Sequence, residues 1–284
     1  MGQIIANAVI LGCTYALMAI GLNMVYGLLK ILHVAHAGIY TLGAYVGLLI
    51  FRTLTKSLWP GLVCAMVAAG FAGVAIFHIL YKPVLRRPRY IALIASAGIF
   101  AASQELFRLI AGPYPYAFPA QFVFPAIRTK FFYLTSTQML ILSFTVVSFI
   151  LLYFLISRTK IGLAWQACMQ DMDIAGTSGI NVNRVITLNF FLGSALAGAA
   201  GILVALYRNS VFPTMGALVS YKAFVVVVLG GLGSMPGAVV AAMLLALVES
   251  LLSAAPWFEF PRDALAFLTM TIILLFRPKG LFRR

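Results

Sequence analysis

Long apolar runs follow one another along this chain, at about residues 4–28, 34–51, 60–81, 90–111, 136–157, 185–207, 219–230, 237–253 and 263–277. A helix needs roughly 20 mostly apolar residues to cross a bilayer, and several of these runs are that long. A soluble domain needs a charged surface, ordinarily about 25% of its residues. Here 9% are charged and 63% hydrophobic. Lipid tails make no such demand. The expectation is an all-α, polytopic transmembrane bundle of about eight spans with broken or re-entrant segments, forming a single membrane domain over 1–284.

The run at 219–230 is too short to span alone. It is separated from 237–253 by Gly230-Gly231-Leu232-Gly233-Ser234-Met235-Pro236-Gly237, a composition that breaks helices. Broken backbone at membrane depth survives only where protein or a water-lined cavity covers it. The segment therefore reads as lining of a transport path, or equally as a plain loop between two helices.

The formal charge is +14. A soluble protein so basic would suggest nucleic acid. Here the cations lie between apolar runs, where they set topology by the positive-inside rule, so no nucleic acid is expected. Lys82, Arg86, Arg87 and Arg89, then Arg158, Lys160 and Arg184, then Arg277, Lys279, Arg283 and Arg284 are assigned to the cytoplasm. The Pro-rich loop at 112–135 is then external. Three crossings before Lys82 would place the N-terminus outside, whereas a re-entrant break near Lys30–Gly38 would place it inside. The N-terminal stretch lacks a basic n-region and reads as the first span rather than a cleaved signal peptide.

No Gly-Lys dipeptide occurs, so a Walker A loop is missing. Cys13, Cys64 and Cys168 are isolated. His33 and His36 could share a helix face, but no third ligand accompanies them, and no metal site is expected. No acid, base and nucleophile set converges, so no catalytic residue is assigned. Of the six acidic residues, Asp171 and Asp173 fall in the loop at 158–184. Glu259 and Asp263 lie at the last external loop. Glu105 can pair with Arg108 at i,i+3, and Glu249 reads as a helix-end residue facing the interface. This is a thin supply for ion coupling. Gly43 and Gly47, and Gly193, Ala197 and Gly201, have the spacing of close helix contacts.

The loop at 158–184 is longer than a connection requires. Gly162–Gln170 can form one short helix. Asp171 or Asp173 can cap a second, and Gly179 can stop it. Such a hairpin suggests a docking surface, with an ordinary amphipathic loop as the alternative.

Here the chain resembles a known family. Ala175-Gly176-Thr177-Ser178-Gly179-Ile180 is similar to the Ala-x-x-x-Gly-Ile portion of the coupling loop of bacterial ABC importer permeases. The stretch Gly27–Val46, the run from Lys222 to Glu249, and Arg277-Pro278-Lys279-Gly280-Leu281-Phe282 resemble segments of branched-chain amino-acid permeases, in the same order. One departure is clear. The family's His-Gly-Glu or His-Gly-Asp reads His36-Ala37-Gly38 here, and the family includes carriers of other amino acids, urea and short amides.

The resemblance implies an importer permease for a small polar solute, such as a branched-chain or other amino acid, in a bacterial inner membrane. It implies a second related permease, two cytoplasmic ABC ATPase subunits and an external solute-binding protein, with ATP and Mg held by the ATPases and no cofactor in this chain. Gly162, Asp171, Asp173, Ala175, Gly179 and Ile180 would form the ATPase-coupling loop. Asn23, His33, His36, Asn189 and Ser234 would lie along the path. Gly38, Gly230, Gly231, Gly233 and Gly237 would be the broken-helix glycines. The competing reading is an ion-coupled secondary transporter or a channel, which also uses broken helices.

Overall fold

The computed structural model describes residues 1–254, apart from 56, 86, 120–125 and 130, and scattered positions from 264 to 275. Arg86, Glu259, Asp263, the tail from Arg277, and most of the run at 263–277 lie outside the described residues. Among the described residues seven helices are long and apolar enough to cross a membrane, and an eighth, shorter apolar helix joins them.

In chain order the helices are α1 (Gly2–Leu29), α2 (His36–Ile50), α3 (Leu58–Ile76), the short turn α4 (Lys82–Val84), α5 (Arg89–Ala111), α6 (Ser136–Arg158), α7 (Lys160–Gln170), α8 (Met172–Thr177), α9 (Val182–Arg208), α10 (Met215–Gly230) and α11 (Met235–Ser253). Widened turns at Phe51–Thr55 and Phe77–Tyr81 prolong α2 and α3. A two-stranded hairpin pairs Ile127–Arg128 with Tyr133–Leu134 in the loop after α5.

Helix α9 is the axis of the bundle, because its small residues let three neighbours approach at backbone distance. Gly193 faces Gly21 of α1. Gly198 lies against Gly43 of α2 on one side and against Ala65 and Ala69 of α3 on another. Gly201 sits on the backbone of Tyr40 and Ala44. Thus α1 and α3 run antiparallel to α9, and α2 runs parallel to it. Helix α11 packs along α1, and α10 returns against α11 where Gly230 meets Gly237. Helix α5 is peripheral, with only Ala92 and Ser96 buried.

The two ends of the bundle differ. Lys30, Lys82, Arg87, Arg89, Arg158, Lys160 and Arg184 gather at the end that carries α7 and α8. Four arginines (Arg52, Arg108, Arg128 and Arg208) belong to the other end, where Arg108 pairs with Glu105 at 3.0 Å as the spacing predicts. At that far end the Gln3 side chain donates to the Tyr133 carbonyl at 3.2 Å, and Arg52 donates to the Ala117 carbonyl at 3.0 Å. The N-terminus therefore lies opposite the basic end, as three crossings require. The break near Lys30–Gly38 is not re-entrant. It is a corner between two full helices, begun by Lys30 in the left-handed region at φ 52°.

Glu249 does not face the interface. It is 1% exposed and bonded to Lys222 and Tyr15. Sequence position suggests an interfacial residue because Glu249 lies within two turns of the end of its apolar run. The helix crossing instead brings α1 and α10 over it.

Candidate functional site

The hairpin at the basic end is assembled from caps. Thr159 ends α6, and its hydroxyl accepts the Gly162 amide at 3.1 Å to begin α7. A side chain at Gly162 would run into the carbonyls of Leu155 and Ile156, so the tight α6–α7 corner requires glycine. The Asp171 carboxylate accepts the amides of Asp173 at 2.8 Å and Ile174 at 3.0 Å. Asp171, not Asp173, is thus the N-cap of α8, satisfying amides that a helix start leaves unpaired. At the other end Gly179 takes φ 86°. Its amide bonds Gly176, and the Ile180 amide bonds the Ala175 carbonyl, both at 3.1 Å. That is the six-to-one and five-to-two pattern of a glycine-terminated helix. Asn181 then caps α9 through the Arg184 amide at 3.1 Å.

Of the coupling-loop residues expected from sequence, Ala175 is buried and Ile180 half-buried, both on the core side of the hairpin. Two other apolar side chains face outward. Ile174 is 65% exposed and Leu163 63% exposed. Sequence reasoning passes over these two, and the visible signal is apolar residues inside a loop flanked by caps. The hairpin is also bolted to the bundle. The Trp165 indole donates to the Asn189 side chain of α9 at 2.9 Å, and Asn189 donates in turn to the Met24 carbonyl of α1 at 3.0 Å.

The second feature is the break between α10 and α11. Gly231 and Gly233 adopt φ 98° and 90°, which glycine alone takes without strain. Gly230 and Gly237 touch backbone to backbone, so neither position admits a side chain. Asn23 braces the turn from α1. Its amide oxygen accepts from the Gly233 N–H at 2.7 Å, and its amide nitrogen donates to the Ser234 carbonyl at 2.8 Å. Ser234 caps α11 by accepting the Gly237 amide at 3.2 Å. A largely apolar cavity of about 480 Å³ opens beside this turn, bordered by Trp165, Gly233, Ser234 and Pro236. Asn23→Leu would leave the half-buried Gly233 amide unpaired, at about 1–3 kcal/mol, while the Ser234 carbonyl keeps the Ala238 amide at 3.0 Å. The detergent-solubilised protein is expected to melt at a lower temperature by intrinsic fluorescence. An unchanged midpoint would mean that the turn holds without its brace.

The histidines are drawn together elsewhere. His33 Nδ1 lies 2.8 Å from the Tyr81 hydroxyl, and its ring packs edge-on against Phe190. His36 is fully buried beside it, with ring centroids 5.5 Å apart. Among the described residues no group of three His, Cys, Asp or Glu converges as metal ligands would. At Gly38 the space a side chain would take is held by the Ser103 hydroxyl of α5.

Among the described residues, a multi-pass bundle broken at a braced glycine turn and bearing a capped hairpin at its basic end is the architecture of a membrane transport subunit. A family model described as the permease component of the branched-chain amino acid transport system matches residues 4–276, and the chain belongs to that family. It is 34% identical over 290 residues to the high-affinity branched-chain amino acid transport system permease protein LivH of Escherichia coli K12, covering 98% of this chain and 94% of that one. It is 33% identical to the corresponding permease BraD of Pseudomonas aeruginosa over 99% and 95% of the two chains. The permease LivM of Escherichia coli K12 is 28% identical, covering 94% of this chain and 67% of its own length. The chain is thus a transport subunit and not itself an enzyme.

Proposed function

We propose that this chain is one permease half of an ABC importer that moves an amino acid into a bacterial cell across the inner membrane. The observation that carries this reading is the hairpin α7–α8. It is rigidly capped, it exposes the apolar side chains of Ile174 and Leu163, and Trp165, Asn189 and Met24 tie it to the two most buried helices. The positive-inside rule puts this end in the cytoplasm. A capped hairpin there with exposed Ile174 and Leu163 fits a groove on an ATPase subunit, and closure of two ATPases would then turn α1 and α9 as a unit, opening the path to either side in turn.

The rest of the machine lies in other chains. Two ATPases would hold ATP and Mg, a second related permease would complete the path, and an external binding protein would deliver solute. Within this chain Gly162, Asp171, Asp173, Ala175, Gly179 and Ile180 build the docking hairpin, with Ile174 and Leu163 as its contact. Asn23, Ser234 and the glycines from Gly230 to Gly237 shape the turn beside the inner cavity. His33, His36, Gly38 and Asn189 sit at the seams that path opening must shift.

The test is affinity purification of this chain from membranes in mild detergent, with mass spectrometry of the proteins that co-purify. Recovery of Walker A ATPases together with a second permease supports the reading. Recovery of this chain alone, from a preparation that elutes as a single folded species, contradicts it.

A further inference from the structure

At the far end of the bundle a cavity of about 600 Å³ lies between the outer ends of α1, α9 and α11. Its wall is of two kinds. Ile4, Leu11 and Tyr207 are apolar or aromatic, while Asn7, Arg208 and Glu249 are polar or charged. A carboxylate in this setting needs a counter-charge, because burying an unpaired ion is costly. Lys222 supplies it. Its ammonium lies 3.0 Å from Glu249 Oε2 and 3.0 Å from the Tyr15 hydroxyl, and Tyr15 donates to the same Oε2 at 2.8 Å. Both bonds converge on one oxygen. The other, Oε1, is buried and has no hydrogen-bond partner among the described residues. Arg208, on the same cavity, makes no hydrogen bond among the described residues and is exposed.

We infer that this cavity is an outward-facing binding site for the zwitterionic head of an α-amino acid. The Glu249 carboxylate takes the ammonium through Oε1, the Arg208 guanidinium takes the carboxylate, and the wall formed by Ile4, Leu11 and Tyr207 accepts an aliphatic side chain. The chemistry fits each group. A carboxylate already anchored through one oxygen keeps acceptor capacity on the other. Arginine presents a planar fork that matches a carboxylate. The cavity is also large enough for one amino acid. Sequentially the three charges come from α9, α10 and α11, so any movement of α10 against its neighbours would reset the site. The inference rests on the amino-acid reading above and adds its recognition residues.

The test uses the whole importer in proteoliposomes, with its binding protein and internal ATP, and labelled leucine as the probe. Glu249→Gln alone would strand the Lys222 charge and could unfold the chain, so it is combined with Lys222→Met, leaving no unpaired buried ion. Arg208→Gln, at an exposed position, carries little folding risk. Each variant is expected to cut leucine uptake about tenfold or more, the scale of a lost charge-assisted hydrogen bond. Co-purification of the partner subunits should match the unsubstituted complex. In parallel, leucine should raise the thermal midpoint of the unsubstituted complex, whereas isoamylamine and 4-methylpentanoate, each carrying half of the head group, should not. Uptake within about twofold of the unsubstituted importer in the double variant overturns the inference and leaves Glu249 and Lys222 as a structural pair. If the unsubstituted importer moves no amino acid at all, the amino-acid reading itself fails, and the inference falls with it.

Discussion

Replacing Ile174 with aspartate is expected to lower ATP-driven uptake by about a hundredfold or more while leaving the permease folded in the membrane. Ile174 is 65% exposed on α8, so its side chain contributes little to the fold of this chain. The helix does not depend on it, because Asp171 caps the first turn and Gly179 ends the last. Buried in a partner groove, however, an isoleucine is worth about 1.5–3 kcal/mol, and an aspartate in its place adds the desolvation of a charge. Together these exceed about 2.7 kcal/mol, the free energy of a hundredfold loss of docking. Uptake and ATPase co-purification measured on the same membranes check the result. Undiminished co-purification with normal uptake would remove Ile174 from the interface.

The second large effect concerns the bundle itself. Gly201→Leu is expected to abolish recovery of folded protein. The first carbon added at Gly201 would strike the Tyr40 carbonyl and lie 3.2 Å from the Ala44 amide. Both are backbone atoms, so no side chain can swing away. One surplus methylene in a packed core already costs about 1–3 kcal/mol, and leucine would force α2 off the central helix along its length. Gly98→Leu is the control. Nothing among the described residues lies within 4 Å of a first side-chain carbon built there, and α5 is peripheral. Size-exclusion chromatography after solubilisation should give a single peak for Gly98→Leu and aggregate for Gly201→Leu.

Distance along the chain decides which features are legible in the sequence and which are not. Helix caps are local, so Asp171 and Gly179 mark the limits of α8 in the sequence itself. The glycine cluster from Gly230 to Gly237 marks a break for the same reason, and small residues at Gly193, Ala197 and Gly201 mark a packed face without naming its partners. The α10 boundary is less legible. The apolar run begins at residue 219, whereas the helix starts at Met215, because Gly216 dilutes the apolar signal yet packs against Ala37 and Thr41 of α2. Tyr15, Lys222 and Glu249 meet across 207 and 234 residues of chain. No periodicity within one helix encodes such a meeting, so Lys222 reads as a motif letter and Glu249 as an interfacial end. Asn23 is expected near a path from its sequence context alone. Its bonds to Gly233 and Ser234 depend on α1 lying beside the broken turn, which nothing local to either segment encodes.

The central claim is that this chain moves solute only as part of an ATP-driven complex. It is tested most directly by labelled leucine accumulation in proteoliposomes, comparing the complete importer with this chain reconstituted alone. The account predicts accumulation by the complete importer only when ATP is inside and the binding protein outside, and none by the isolated chain under any proton or sodium gradient. Gradient-driven accumulation by the isolated chain, without ATP, would contradict it.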